Sequence, residues 1–240
     1  MNKKMVQESE KDFWRKYIKV YDQLNRAYPY KDLINNIIDE LDVHSGDDIL
    51  DAGGGTGNVA LQIIKRGGSV TLLDNSEEAI NYFLEKVKAG KVIIRDLRGS
   101  LPFADDSFDK IVCNNTLYII ESKFYDAIIK EFWRILKKGG MIVLSNPIKS
   151  ASPYKILLNH FKMVAKKNNT LFLMKELFVK LNYLVLLLYY NHRIKNKSRN
   201  KYHFFEIREQ EEVLKRNNFN IKKTVMVYAN QNILTVGIKK

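Results

Sequence analysis

The stretch Ile49-Leu50-Asp51-Ala52-Gly53-Gly54-Gly55-Thr56-Gly57-Asn58 constrains this chain more than any other. It reads as the apolar end of a strand, an acid, a glycine-rich turn and the start of a helix. Glycine lacks a Cβ, so such a backbone bends sharply and admits a ligand at close range. A helix beginning near Gly57 points unpaired N–H groups towards the turn. The spacing Asp51-x-Gly53-x-Gly55-x-Gly57 contains no Gly-Lys-Ser/Thr, so it is not a phosphate loop. The acid at the turn argues for a ligand that carries positive charge. Taken alone, a glycine run is also compatible with a tight turn in any α/β domain, and the downstream spacing decides between the two. Val70-Thr71-Leu72-Leu73-Asp74 is a second short apolar strand closed by an acid, 17 residues past Gly57. An acid at that place holds a ribose diol in nucleotide-binding α/β sheets.

The rest of the chain repeats the alternation. Strands are predicted over 47–51, 69–73, 91–95, 110–113 and 141–145, each a short apolar run of the kind buried in parallel sheets. Helices are predicted over 57–66, from the N-cap Ser76 to about Lys88, and over 122–136 with Gly139-Gly140 as its stop. A helix over 207–216 and strands near 219–228 and 231–238 complete the chain. Alternation on this scale implies a doubly wound, mostly parallel sheet. Ahead of the first strand, Phe13, Trp14, Tyr17, Ile18, Tyr21 and Leu24 lie at helical spacing over Lys11–Ala27. Pro29 is expected to interrupt this helix, and a second runs over about 30–42.

Four segments follow: 1–43, an N-terminal helical cap; 44–147, a ligand-binding core; 148–201, a basic and apolar helical insertion; and 202–240, a helix and strands that complete the core. The net charge is +13, but its distribution says more than its size. Residues 149–201 hold twelve Lys/Arg and one acid, Glu176, a net +11, whereas the remainder holds 28 basic and 26 acidic residues. Ser152-Pro153 opens the insertion's first helix. Lys155, Asn159, Lys162 and Lys166 form one stripe on it, opposite Leu157, Leu158, Phe161, Val164 and Ala165. Leu171–Tyr190 is almost wholly apolar, but Lys175, Glu176, Lys180 and Asn182 make it a poor transmembrane span. A single cysteine, Cys113, excludes a disulfide framework, and no signal-peptide core follows Met1. A cytoplasmic setting is expected, with peripheral contact at a membrane.

Asp51 to Gly57, Asp74, Asp96-Leu97 with Leu101-Pro102-Phe103, and Phe108-Asp109 resemble the ordered motifs of class I S-adenosylmethionine-dependent methyltransferases. The similarity is strongest to the small-molecule branch that includes quinone-biosynthesis enzymes, and it covers roughly 40–147. It implies a Rossmann-like, seven-stranded sheet whose last two strands add an antiparallel edge, and S-adenosylmethionine as cofactor. It further implies cofactor contacts from Tyr21, Asp51, Gly53, Gly55, Gly57, Asp74, Asn75, Asp96, Leu97 and Asn114. Asp96 would accept from the adenine amino group and Leu97 would lend its backbone N–H. Trp14, Tyr17 and Tyr21 resemble the helix that closes over the methionine end.

A sulfonium methyl is already a strong electrophile, so the protein mainly aligns an acceptor and excludes water. This explains clear cofactor motifs beside an indistinct catalytic set. His203, Tyr118 and Tyr21 are the candidate bases or aligners, with His160 behind them; Asn146 joins Asn114 and Tyr118 as a pocket-lining candidate. His44 and His192 read as loop residues, Cys113 as core, and no Cys/His grouping has zinc spacing. Two functions are open: methylation of a small, lipophilic or membrane-associated acceptor, and methylation of RNA with the basic insertion on phosphates. The insertion couples its charge to an aliphatic run, which suits anionic lipid better than nucleic acid. Asn114-Asn115-Thr116-Leu117 is not the Asn-Pro-Pro-Tyr type of motif that methylates base amino groups. A homodimer through the insertion and a cofactor-binding protein without catalysis are the further alternatives.

Overall fold

The structure, a computed structural model, describes residues 16–18, 21–87, 90–167 and 202–240. Trp14, the aliphatic run 171–190 and the basic run 193–201 lie outside the described residues, as does most of the expected helical insertion. A short helical stretch at 16–18 and a 3-10 turn, Asp22–Arg26, lead into α1, Tyr28–Leu41. Pro29 does not break a helix here: it sits in the first turn of α1, where its missing N–H has no helical partner to lose.

The core follows as β1 (Asp48–Ala52), α2 (Asn58–Lys65), β2 (Ser69–Asp74), α3 (Glu77–Lys86), β3 (Lys91–Ile94), β4 (Phe108–Asn114), α4 (Tyr125–Ile135) and β5 (Leu136–Pro147). Then come α5 (Pro153–Lys167), α6 (Glu209–Arg216), β6 (Phe219–Val227) and β7 (Asn232–Lys239). The seven strands form one sheet in the order β3-β2-β1-β4-β5-β7-β6. The first five run parallel, and β7 pairs antiparallel with both β5 and β6. Strand periodicity sorts the core into two faces. Leu50, Ala52, Ile111, Cys113, Ile142 and Leu144 pack with α4 and α6 residues on one face. Ile49, Val112 and Val143 pack with α1 and α2 residues on the other.

Two further expectations change. Gly139-Gly140 does not terminate a helix, because α4 ends at Ile135 and the chain enters β5 at once. The β4–β5 register shifts between Phe108 and Lys110, and Gly139 (φ 74°) is the residue able to adopt a left-handed conformation in that irregular stretch. The second change concerns α5. Its inner side is His160 and Val164, which are buried, and it packs against α1. Leu158 and Ala165 turn outward instead, Leu158 at 60 % exposure. His160 accepts a hydrogen bond at Nδ1 from the Tyr28 N–H (3.2 Å) and stacks on that ring. It therefore satisfies a donor at the start of α1, and the polar ring takes the buried centre of the α5 face.

Candidate functional site

The site forms at the carboxyl ends of β1, β2, β3 and β4, where open α/β sheets place ligands. After β1 the chain turns back over β2: the N–H groups of Gly53 and Gly54 both donate to the Leu73 carbonyl (2.7 and 3.2 Å). Gly53, Gly55 and Gly57 have φ of 71°, 54° and 79°. Their surroundings differ. A Cβ on Gly53 would lie 2.3 Å from the Thr116 side chain, and one on Gly57 2.1 Å from Phe83, whereas one on Gly55 would meet nothing within 4 Å. Gly53 and Gly57 are required by packing. Gly55 faces open space.

Asp74 braces this turn. Its carboxylate accepts from the N–H of Gly55 (2.9 Å) and of Ser76 (2.8 Å). Burial raises its pKa, partly offset by those donors. Asp51 is 1 % exposed and accepts from the Ala60 N–H at the start of α2 (3.1 Å). Burial pushes its pKa up to about 7, and the Asp74 charge adds to the shift. Beside the turn, Asn75, Ile94, Arg95, Asp96 and Gly99 line a groove of about 300 Å³. Ile94 shows 56 % of its surface there, which offers an apolar wall for a flat ring. Asp96 is engaged by Arg98, through its backbone N–H at 2.9 Å and its guanidinium, which holds the carboxyl below its usual pKa. Leu97 is buried next to it. Asn114 ends β4 with its Oδ1 buried and without a hydrogen-bond partner.

The N-terminal segment is fastened to the glycine turn. Asp22 accepts from Thr56 Oγ1 (2.6 Å) and pairs with Lys86, whose Nζ also donates to the Thr56 carbonyl (2.7 Å). Asn25 donates to Asn58 (2.7 Å), which in turn reaches the Tyr30 hydroxyl (3.3 Å). This sets Tyr21 over the site: its hydroxyl meets those of Tyr30 (3.3 Å) and the side chain of Asn115, and it feels the Asp51 charge.

Tyr21 and Tyr118 come together as expected candidates. Tyr17, Tyr202, Tyr21, Tyr118 and Phe204 form one cluster, with Tyr17–Tyr21, Tyr118–Tyr202 and Tyr118–Phe204 ring distances of 5.5, 6.1 and 5.6 Å. Tyr228, from the β6–β7 turn, joins through Tyr30 (5.9 Å). Burial raises the pKa of Tyr17, Tyr21, Tyr118 and Tyr228, which favours the protonated phenol. Cys113 is buried and pushed up to about 12.

Two candidates lie elsewhere. His203 follows the alternation of an extended segment: Tyr202 and Phe204 turn to Tyr118, while His203 turns to Tyr125 and Phe205 and its Nε2 pairs with Glu209. Asn146 is fully buried beneath the site, donating to Gln210 (2.9 Å) and accepting from the Tyr118 N–H (3.3 Å); it positions a backbone and does not line a pocket. Sequence reasoning missed Asn115, Tyr228, Ile94 and Lys86. Only Asn115, next to Asn114 at a strand end, carried a usable signal. Among the described residues, no group of three His/Cys/Asp/Glu is placed to hold a metal ion.

Comparison with known proteins agrees with this geometry. Residues 49–140 match a family model described as a methyltransferase domain. The chain is 30 % identical over 152 residues to the chloroplastic 2-methyl-6-phytyl-1,4-hydroquinone methyltransferase 1 of Oryza sativa subsp. japonica, covering 60 % of this chain and 46 % of that protein. It is 28 % identical over 160 residues to the demethylmenaquinone methyltransferase of Tropheryma whipplei, covering 59 % and 65 %. The chain thus spans about half to two thirds of the length of these relatives. Among solved structures, a chain of the complex between the Haloferax volcanii Trm112 methyltransferase activator and the putative methyltransferase superposes with a TM-score of 0.66 at 15 % identity, covering 94 % and 95 %, which shows the shared fold.

Proposed function

We propose that the chain is a class I S-adenosylmethionine-dependent methyltransferase that transfers a methyl group to a small, lipophilic acceptor seated against the aromatic cluster of Tyr17, Tyr21, Tyr118, Tyr202, Phe204 and Tyr228. The observation that carries this reading is the juxtaposition of that cluster with the glycine turn at the carboxyl end of the central strands. The residues fit S-adenosylmethionine on three counts. Gly55 faces open space where a cofactor would pass, the Asn114 Oδ1 is a buried acceptor without a partner, and the exposed Ile94 wall sits beside Asn75 and Asp96.

When bound, the cofactor supplies a methyl group activated by a sulfonium. Asp74 retains acceptor capacity for the ribose hydroxyls after bonding Gly55 and Ser76. Asp51 places a carboxylate under the turn, where a cationic ligand favours its ionised form. The tyrosine hydroxyls, held protonated, donate to an acceptor oxygen and orient it. Asn146 and Gln210, both fully buried, fix the Tyr118 backbone from below. The aromatic surface excludes water from the methyl path. The acceptor class is suggested by the relatives, named for hydroquinone and demethylmenaquinone substrates.

The test is incubation with methyl-labelled cofactor and separate lipid and RNA fractions. Label in a lipid or small-molecule fraction supports the reading. Label in RNA alone overturns it and favours phosphate binding through the basic insertion.

A further inference from the structure

The outward side of α5 has a composition that the fold does not use. Around the helix, Tyr154, Ala165 and Leu158 form an exposed apolar strip, Tyr154 and Leu158 each at 60 % exposure. Directly beside it run Lys155, Lys162 and Lys166, all exposed, and α5 contains no acid. His160 and Val164, on the opposite side, account for the packing against α1, so the strip is not needed to seat the helix. An apolar strip beside a row of lysines, parallel to a helix axis, is the pattern of a helix that lies in a membrane interface. No described helix is long and apolar enough to cross a membrane, so contact through this helix would be peripheral.

We infer that α5 docks the protein on anionic lipid, with Tyr154 and Leu158 dipping into the headgroup boundary and Lys155, Lys162 and Lys166 facing lipid phosphates. Charge complementarity selects this occupant. A second copy would bring the same three lysines against their own kind, since the opposing strip carries no acid. The inference concerns a surface remote from the glycine turn and stands whether or not methyl transfer is observed.

The experiment is co-sedimentation of the full chain with vesicles of phosphatidylcholine alone and of phosphatidylcholine mixed with phosphatidylglycerol, at low and high salt. Each lysine near an anionic surface contributes about 1 kcal/mol, so Lys155→Gln, Lys162→Gln and Lys166→Gln together should weaken partitioning on the order of a hundredfold at low salt. Tyr154→Ala with Leu158→Ala should remove the part of binding that survives high salt. All five positions are exposed, and circular dichroism with cofactor titration checks that the variants are folded. Wild-type binding to anionic vesicles, strongly weakened at low salt in the lysine variant and lost at high salt in the Tyr154/Leu158 variant, is the expected result. Equal binding to neutral vesicles, no vesicle binding at low salt, unchanged binding in the lysine variant, or a concentration-dependent dimer broken by Tyr154→Ala and Leu158→Ala in place of lipid binding would each overturn the inference.

Discussion

Asp51→Asn should stabilise the protein at alkaline pH and weaken it as a cofactor binder. Asp51 is 1 % exposed, and burial raises its pKa from the ordinary 3.8 to about 7. The folded chain therefore keeps a proton that the unfolded chain releases near pH 4. Stability falls as pH rises between those two values, and the loss is complete above the folded pKa. A shift of about 3 units corresponds to roughly 4 kcal/mol. An asparagine resembles the protonated acid in shape and charge and can still accept from the Ala60 N–H. The two proteins should have equal stability near pH 4, and the variant should lead by up to about 4 kcal/mol near pH 8. Urea unfolding of both proteins across this range measures the gap, which reports Asp51 together with its coupling to Asp74. Parallel curves with no widening gap would refute the assignment of a buried charge to Asp51. The same carboxylate should answer to the cofactor in the opposite sense. A cation bound beside it favours the ionised form, so wild-type affinity should fall with pH below about 7, accompanied by proton release on binding, and Asp51→Asn should abolish that pH dependence.

Three further outcomes are expected. Gly55→Ala should lose cofactor affinity with only the modest stability cost of its left-handed φ, because its Cβ meets open space, whereas Gly57→Ala also drives a Cβ into Phe83 and should lower the melting temperature further; calorimetry and thermal unfolding separate the two. Asp74→Ala removes charge-assisted hydrogen bonds worth roughly 1.5–3 kcal/mol each and should weaken S-adenosylmethionine binding at least about tenfold by calorimetry. His160→Ala deletes the acceptor for the Tyr28 N–H together with a buried ring and should cost roughly 2 kcal/mol or more in chemical denaturation, with cofactor affinity unchanged.

The sheet was legible because its signals are local. Each parallel strand is a short apolar run, and the acids closing β1 and β2 and the glycines between β1 and α2 fix ligand-facing turns by covalent spacing alone. Motif order also singled out Asp96 and Leu97 after β3 and Asn114 at the end of β4. What failed depended on contacts distant in sequence. Nothing local shows that His160 is buried against Tyr28, 132 residues away, or that His203 turns from Tyr118 towards Glu209. Asn146 reads as a pocket residue because it ends a strand, but a buried Gln210 draws its side chain downward. The glycine pair after α4 looked like a helix stop because helix ends and strand irregularities both use left-handed glycine. The aromatic cluster is assembled from four separate segments and has no sequence signature.

The Asp22–Thr56–Lys86 fastening bears on how fast such a protein can turn over. One ion pair and two hydrogen bonds hold the segment that carries Tyr21 against the glycine turn. These groups are partly exposed, so dissolved ions compete with them. If exchange of spent for fresh cofactor limits turnover, as product release does in many enzymes, kcat should rise with ionic strength, and Lys86→Met should raise it without added salt. The strap that improves residence of the cofactor would then also set the pace of the cycle.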